Sequence, residues 1–116
     1  MNATGRGSFG QLSTQGAERL QQIEARMRSE IPLQLRRLNE LQRTVDAARA
    51  APSKHARREL ADAAHRLRGR AGMLRMTRLC EAAAGTRRHA EAEADAALLR
   101  TGIAACELAW QDAAAC

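Results

Sequence analysis

A chain of 116 residues with a formal net charge of +6 has the length of one domain, enough to bury about two thirds of its unfolded surface in a single core. Hydrophobic residues reach 45% but aromatics only 2%, Phe9 and Trp110 with no tyrosine, so any core is aliphatic and lined by alanine. No apolar run approaches the roughly 20 residues that span a bilayer, and the polar start MNATGRGSFGQ has no signal-peptide core, which leads us to expect a soluble, cytoplasmic protein.

Alanine, leucine, arginine and glutamate all favour helix, whereas valine occurs once and isoleucine three times. No alternating apolar run has strand length, so the fold class is all-α. Residues 1–11 are rich in glycine and small polar residues and read as a disordered lead-in, leaving 12–116 as a single helical domain. A first helix is expected from Ser13 or Thr14, with Leu20, Ile23, Met27 and Ile31 recurring on one face. Pro32 lacks a backbone donor and disfavours helix just before it, so a break or kink there would let this first helix cap one end of a bundle.

The second predicted helix, 33–50, aligns Leu35, Leu38, Leu41, Val45 and Ala48. Pro52 ends it, and Ser53 is a suitable N-cap for a central helix from Lys54 to about Gly72. A turn is expected over 73–77. The next helix, 77–92, points Leu79, Cys80, Ala83, Thr86 and Ala90 inward and Arg87, Arg88 and Glu91 outward. A last helix from about Glu93 to Ala113 carries Leu98, Thr101, Ala105, Leu108 and Asp112 on one line, with Leu99, Ala109 and Trp110 beside it. Short connections favour an antiparallel up-and-down four-helix bundle from Leu33 onward, with the 12–31 helix added to it.

The central helix is where chemistry concentrates. At about 100° per residue, Leu60, Ala64, Leu67, Ala71 and Leu74 form an apolar seam, and His65, Arg68, Gly69 and Gly72 gather on roughly the opposite side. Extending this second stripe toward the N-terminus adds Ala61, Arg58 and Lys54, with Asp62 on its flank. An exposed imidazole among cations and small residues suits a phosphoryl group. Arg68, one turn on, is placed to neutralise phosphoryl oxygens, Gly69 removes the side chain that would stand beside the ring, and Asp62 is placed to hold the second ring nitrogen.

The run His65, Arg66, Leu67, Arg68, Gly69, Arg70, Ala71, Gly72, Met73, Leu74 resembles the histidine-phosphotransfer (HPt) domain, whose pattern is HxLKGxAxxLG. His65, Leu67, Gly69, Ala71 and Leu74 match, and Arg68 replaces the usual lysine with another cation. Arg70 stands where a small residue is usual and Arg75 where a glycine is expected, so both departures bear on the turn. With its flanking helices the resemblance spans about Ile23 to Trp110. It implies that His65 exchanges a phosphoryl group with the aspartate of a receiver domain in a bacterial two-component relay, free-standing or within a hybrid sensor histidine kinase. The chain would then be a phosphoryl carrier rather than a self-sufficient enzyme. It would need no cofactor of its own, because the receiver brings the magnesium. Lys54, Arg58, Ala61, Asp62 and Gly72 would dock that receiver on the face formed by the second and central helices.

Other readings compete at some positions. The positive charge suits any anionic partner, including nucleic acid or an acidic membrane surface. Lys54, Arg57, Arg58, Arg66, Arg68, Arg70 and Arg75 could form a nucleic-acid footprint, although no zinc finger or aromatic RNA-binding pair accompanies them. A docking-only bundle that binds a receiver without exchanging phosphate is the other alternative. Cys80, Cys106 and Cys116 lack the spacing of a zinc site or disulfide framework, and Cys80 and Cys106 read as small buried groups. His55 and His89 read as idle surface residues without partners.

Overall fold

Among its described residues, the computed structural model of the chain has four helices, α1 Asn2–Ala47, α2 Lys54–Met73, α3 Thr77–Glu91 and α4 Ala96–Ala115. It describes the backbone of residues 2–48, 51–92 and 94–115, and side chains within those ranges from Thr14 to Ala114. Among the described residues there is no strand, as the composition requires. The boundary at residue 11 falls where side chains are not described, and Glu93 and Cys116 lie outside the described residues.

Cross-helix pairs fix the directions. Glu30 and Arg37 of α1 meet Arg70 and Glu59 of α2, so these helices run antiparallel. Cys80 of α3 lies opposite Gly72 of α2, at the turn that joins them. Asp46 and Asn39 of α1 meet Arg100 and Glu107 of α4, again antiparallel, and α4 also packs on α3. The bundle is thus up-and-down. Its core contains Ile31, Leu38, Leu60, Leu67, Leu79 and Leu99, all fully buried, with Ala64, Ala71 and Ala83 filling the gaps between them.

The first two predicted helices are one. Helix α1 runs through Pro32 without interruption. Its apolar register, Met27, Ile31, Leu35, Leu38, continues unbroken across the proline. Pro32 and Arg28, whose carbonyl loses its donor, are both exposed, which leaves that carbonyl to water. The earlier stretch therefore does not fold back to cap the bundle. Residues 14–26 are exposed throughout, with Leu20 at 56% and Ile23 at 43%. At about 1.5 Å per residue, the 46-residue helix accounts for the 72 Å long axis of the molecule.

The ends of the shorter helices have local causes. Ser53 Oγ accepts the Ala56 amide at 3.1 Å, the cap expected for α2. At the other end Arg75 adopts φ 57°, the left-handed position that glycine usually fills. The Met76 amide donates to Ala71 O at 2.9 Å and the Arg75 amide to Gly72 O at 3.1 Å. These are the two bonds of a Schellman motif, so α2 stops at Met73 and the chain makes the turn expected over 73–77. Asp95 Oδ1 accepts the Leu98 amide at 2.9 Å, which starts α4 after residue 95 and not near Glu93.

The buried face of α4 is offset by one residue from the expected line. Leu99, Ile103 and Cys106 are buried, whereas Leu98, Thr101, Ala105, Leu108 and Asp112 are exposed. Both lines have helical spacing, but only the first is apolar along its length. Gly102 beside it permits a close crossing: a Cβ there would stand 2.6 Å from Thr86 Oγ1 and 3.3 Å from Thr86 Cα. Ala48, expected on the buried face of the second helix, is exposed just past the end of α1, and Gln42 is buried instead. Gln42 Nε2 donates to Asp46 Oδ1 and to Ala96 O, tying α1 to the start of α4.

Candidate functional site

Helix α2 presents its two faces as the periodicity requires. Leu60, Ala64, Leu67 and Ala71 are buried, and His65, Arg68, Gly69 and Gly72 are exposed. A Cβ on Gly69 would meet nothing within 4 Å, and one on Gly72 would make only an ordinary contact with Cys80 Sγ at 3.9 Å. Neither glycine is required for helix packing. Gly69 leaves open space one turn beyond the imidazole.

The histidine has a partner from another helix. Arg87 Nη1 lies 2.9 Å from His65 Nδ1, and the same guanidinium donates through Nε to Glu91 Oε1 at 2.9 Å. A guanidinium only donates, so Nδ1 accepts, and the proton of the neutral ring is carried by Nε2. Asp62, expected to hold the second ring nitrogen, does not; Arg87 does. Nε2 has no hydrogen-bond partner among the described residues. Arg87 was expected only to face outward, and nothing in the local HxLRGxA pattern marks it. The signal lies in the hairpin: His65 and Arg87 are equally far in sequence from Met76, at the α2–α3 turn, so antiparallel packing brings them level.

Toward the N-terminus of α2 from His65, a groove of about 350 Å³ is lined by Lys54, Arg57, Arg58, Ala61, Asp62, Ala90 and Glu91. It brings together four of the five expected docking residues and leaves out Gly72, which lies past His65 toward the other end of the helix. The groove is shared with α3 through Ala90 and Glu91, not with the helix that precedes α2. Ala61, assigned to the exposed stripe, is 7% exposed and lies against the groove as a small apolar residue. Arg57 Nε donates to Pro52 O at 3.4 Å, and its Nη1 is buried without a partner.

No family model, curated protein or solved structure matches the chain.

The remaining sequence-flagged residues fall elsewhere. Arg70 reaches away to Glu30 of α1 at 2.5 Å, which places its bulk where it does not crowd His65. His55 has a partner after all, Glu59 Oε1 at 2.5 Å, and the same carboxylate contacts Arg37. Cys106 is fully buried with its Sγ 3.7 Å from Thr86 Oγ1, and burial pushes its thiol above the ordinary range. Cys80 is half-buried against Gly72. Among the described residues, no group of histidine, cysteine and carboxylate side chains could hold a metal ion, and no helix is long and apolar enough to cross a membrane.

Proposed function

We propose that this chain is a histidine-phosphotransfer domain, in which His65 accepts a phosphoryl group from, and returns it to, the aspartate of a receiver domain. The observation that carries the reading is the exposed imidazole in the middle of α2, beside an open Gly69 and one turn from a groove that sets Lys54, Arg57 and Arg58 against Asp62 and Glu91. The receiver supplies the aspartate and the magnesium, and this chain supplies an oriented ring. Arg87 occupies the Nδ1 side of the ring, so Nε2 is the nitrogen that faces an approaching phosphorus, and it attacks once its proton has moved to Nδ1. Arg68, exposed one turn along α2, meets the phosphoryl oxygens and offsets their charge.

The groove from Lys54 to Asp62 docks the receiver by charge. Lys54, Arg57 and Arg58 line one short stretch of it, and their charge favours a carboxylate partner over an apolar one. A receiver's acidic pocket fits that description. The cytoplasm is the compartment in which such an exchange would occur.

The reading is tested by substitution in a transfer assay with a phosphorylated receiver and magnesium. Arg68→Ala slows transfer without abolishing it, and Gly69→Lys obstructs docking. A Gly69→Lys protein that transferred at the normal rate would contradict the role given to the open space beside His65.

A further inference from the structure

The contact between Arg87 and His65 constrains the ring in a way that bears on how long a phosphoryl group stays on it. In the resting protein Nδ1 accepts from Arg87 and Nε2 carries the proton. Once a phosphoryl group replaces that proton on Nε2, Nδ1 is again an unprotonated nitrogen, and the Arg87 N–H again has an acceptor. The two end states therefore suit Arg87 equally. The reacting state does not.

The proton inventory shows why. To attack phosphorus, Nε2 needs a free lone pair, so the ring proton must first sit on Nδ1, where it points at a donor. The lone pair of Nε2 then forms the N–P bond, the P–O bond to the receiver's aspartate breaks with its electron pair left on the carboxylate, and the Nδ1 proton leaves to water. Loss of the phosphoryl group runs the other way. Whether the attacking group is water or a carboxylate, the P–N bond breaks with its pair on Nε2, and the ring departs as neutral imidazole only if Nδ1 has first taken a proton. A donor fixed on Nδ1 opposes that protonation.

We infer that Arg87 acts as a latch on phosphorylated His65, holding Nδ1 unprotonated through its 2.9 Å contact and so prolonging the lifetime of the phosphoryl group until a partner draws the guanidinium away. The inference rests on the relay reading for its purpose but not for its chemistry. Charged groups surround the ring on both helices: Asp62 and Arg68 lie one turn to either side on α2, and Arg87 and Glu91 on α3. Among them Arg87 alone hydrogen-bonds the imidazole. Glu91 Oε1 holds the guanidinium from behind. Glu91, which shares this guanidinium, also lines the groove, so an acidic partner drawn there by Lys54, Arg57 and Arg58 competes with the ring for Arg87, which couples docking to release of Nδ1. Arg87 is a positioning residue in this scheme, acting through the ring.

The test uses the full chain and a small phosphodonor, phosphoramidate, which labels histidine without a receiver. Phosphorus NMR then follows decay of the labelled protein at neutral pH for wild type, Arg87→Met and Arg87→Lys. The methionine variant, which keeps an apolar stem and has no donor, loses its phosphoryl group about threefold to tenfold faster, the range of a partly exposed hydrogen bond from a charged donor. The lysine variant lies between the two. Ring-nitrogen NMR of the unlabelled protein reads the tautomer independently: Nδ1 is unprotonated in wild type, and the preference weakens in Arg87→Met. Equal decay of wild type and Arg87→Met, or a protonated Nδ1 in neutral wild-type protein, would overturn the latch. Arg87-dependent decay with no transfer to any receiver would support the latch and remove the relay.

Discussion

At the scale of single residues, two glycines separate access from packing. Gly69 stands in open space and Gly102 stands against Thr86. Both lie inside helices, where glycine costs about 1 kcal/mol relative to alanine. Gly69→Ala therefore raises stability by up to about 1 kcal/mol in urea unfolding. Gly102→Ala drives a methyl group into a threonine whose hydroxyl is already held by Ala82 O at 2.9 Å, and it lowers stability by about 1 kcal/mol or more despite the better propensity. If Gly69→Ala were the more destabilising of the two, the space beside His65 would not be open. The exposure of His65, Arg68 and Gly69 was legible in the sequence because one helical face is set by spacing alone. Arg87 was not, because its contact depends on the register between two helices, which no single-helix pattern carries.

At the scale of elements, the turn after α2 puts a residue other than glycine in a conformation with a definite cost. Arg75 occupies the left-handed position of a Schellman motif, a conformation that costs a residue with a Cβ roughly 1–2 kcal/mol. Replacing it by glycine removes that cost, partly offset by the extra freedom of glycine in the unfolded chain. Arg75→Gly is expected to stabilise the protein by about 0.5–1 kcal/mol, measured as a raised urea midpoint with an unchanged slope; a lowered midpoint would mean that the Arg75 side chain contributes more than its backbone costs. The cap at Ser53 was legible, because the serine directly follows a proline break. The face of α4 was not. Two helical stripes one residue apart compete there, and the line chosen from Leu98 and Leu108 passes over Thr101 and Asp112, which the core has no means to satisfy.

At the scale of the whole molecule, the all-helical class and much of the core followed from composition and period, whereas the fate of Pro32 did not. A proline on an exposed face loses one hydrogen bond that water replaces, and the register it might have broken is the one that keeps Ile31 and Leu35 in the core. The consequence is a helix of which only the part from about Met27 onward belongs to the bundle. Leu20→Ala, on the projecting part, is expected to change stability by no more than about 0.5 kcal/mol, while Leu38→Ala, fully buried, costs about 2–5 kcal/mol. Comparable losses from both would place the projecting stretch against the core. The bundle sets the imidazole, its guanidinium partner and the groove side by side on one face of the α2–α3 hairpin.

The measurement that bears most directly on the central claim is a phosphate-retarding gel of wild-type and His65→Gln protein after mixing with phosphorylated receivers and magnesium. An acid-labile, alkali-stable shift in wild type alone, with the melting temperature of His65→Gln unchanged, is the predicted result. Receiver binding with no shift in wild type would contradict it, and so would a shift that survives in His65→Gln.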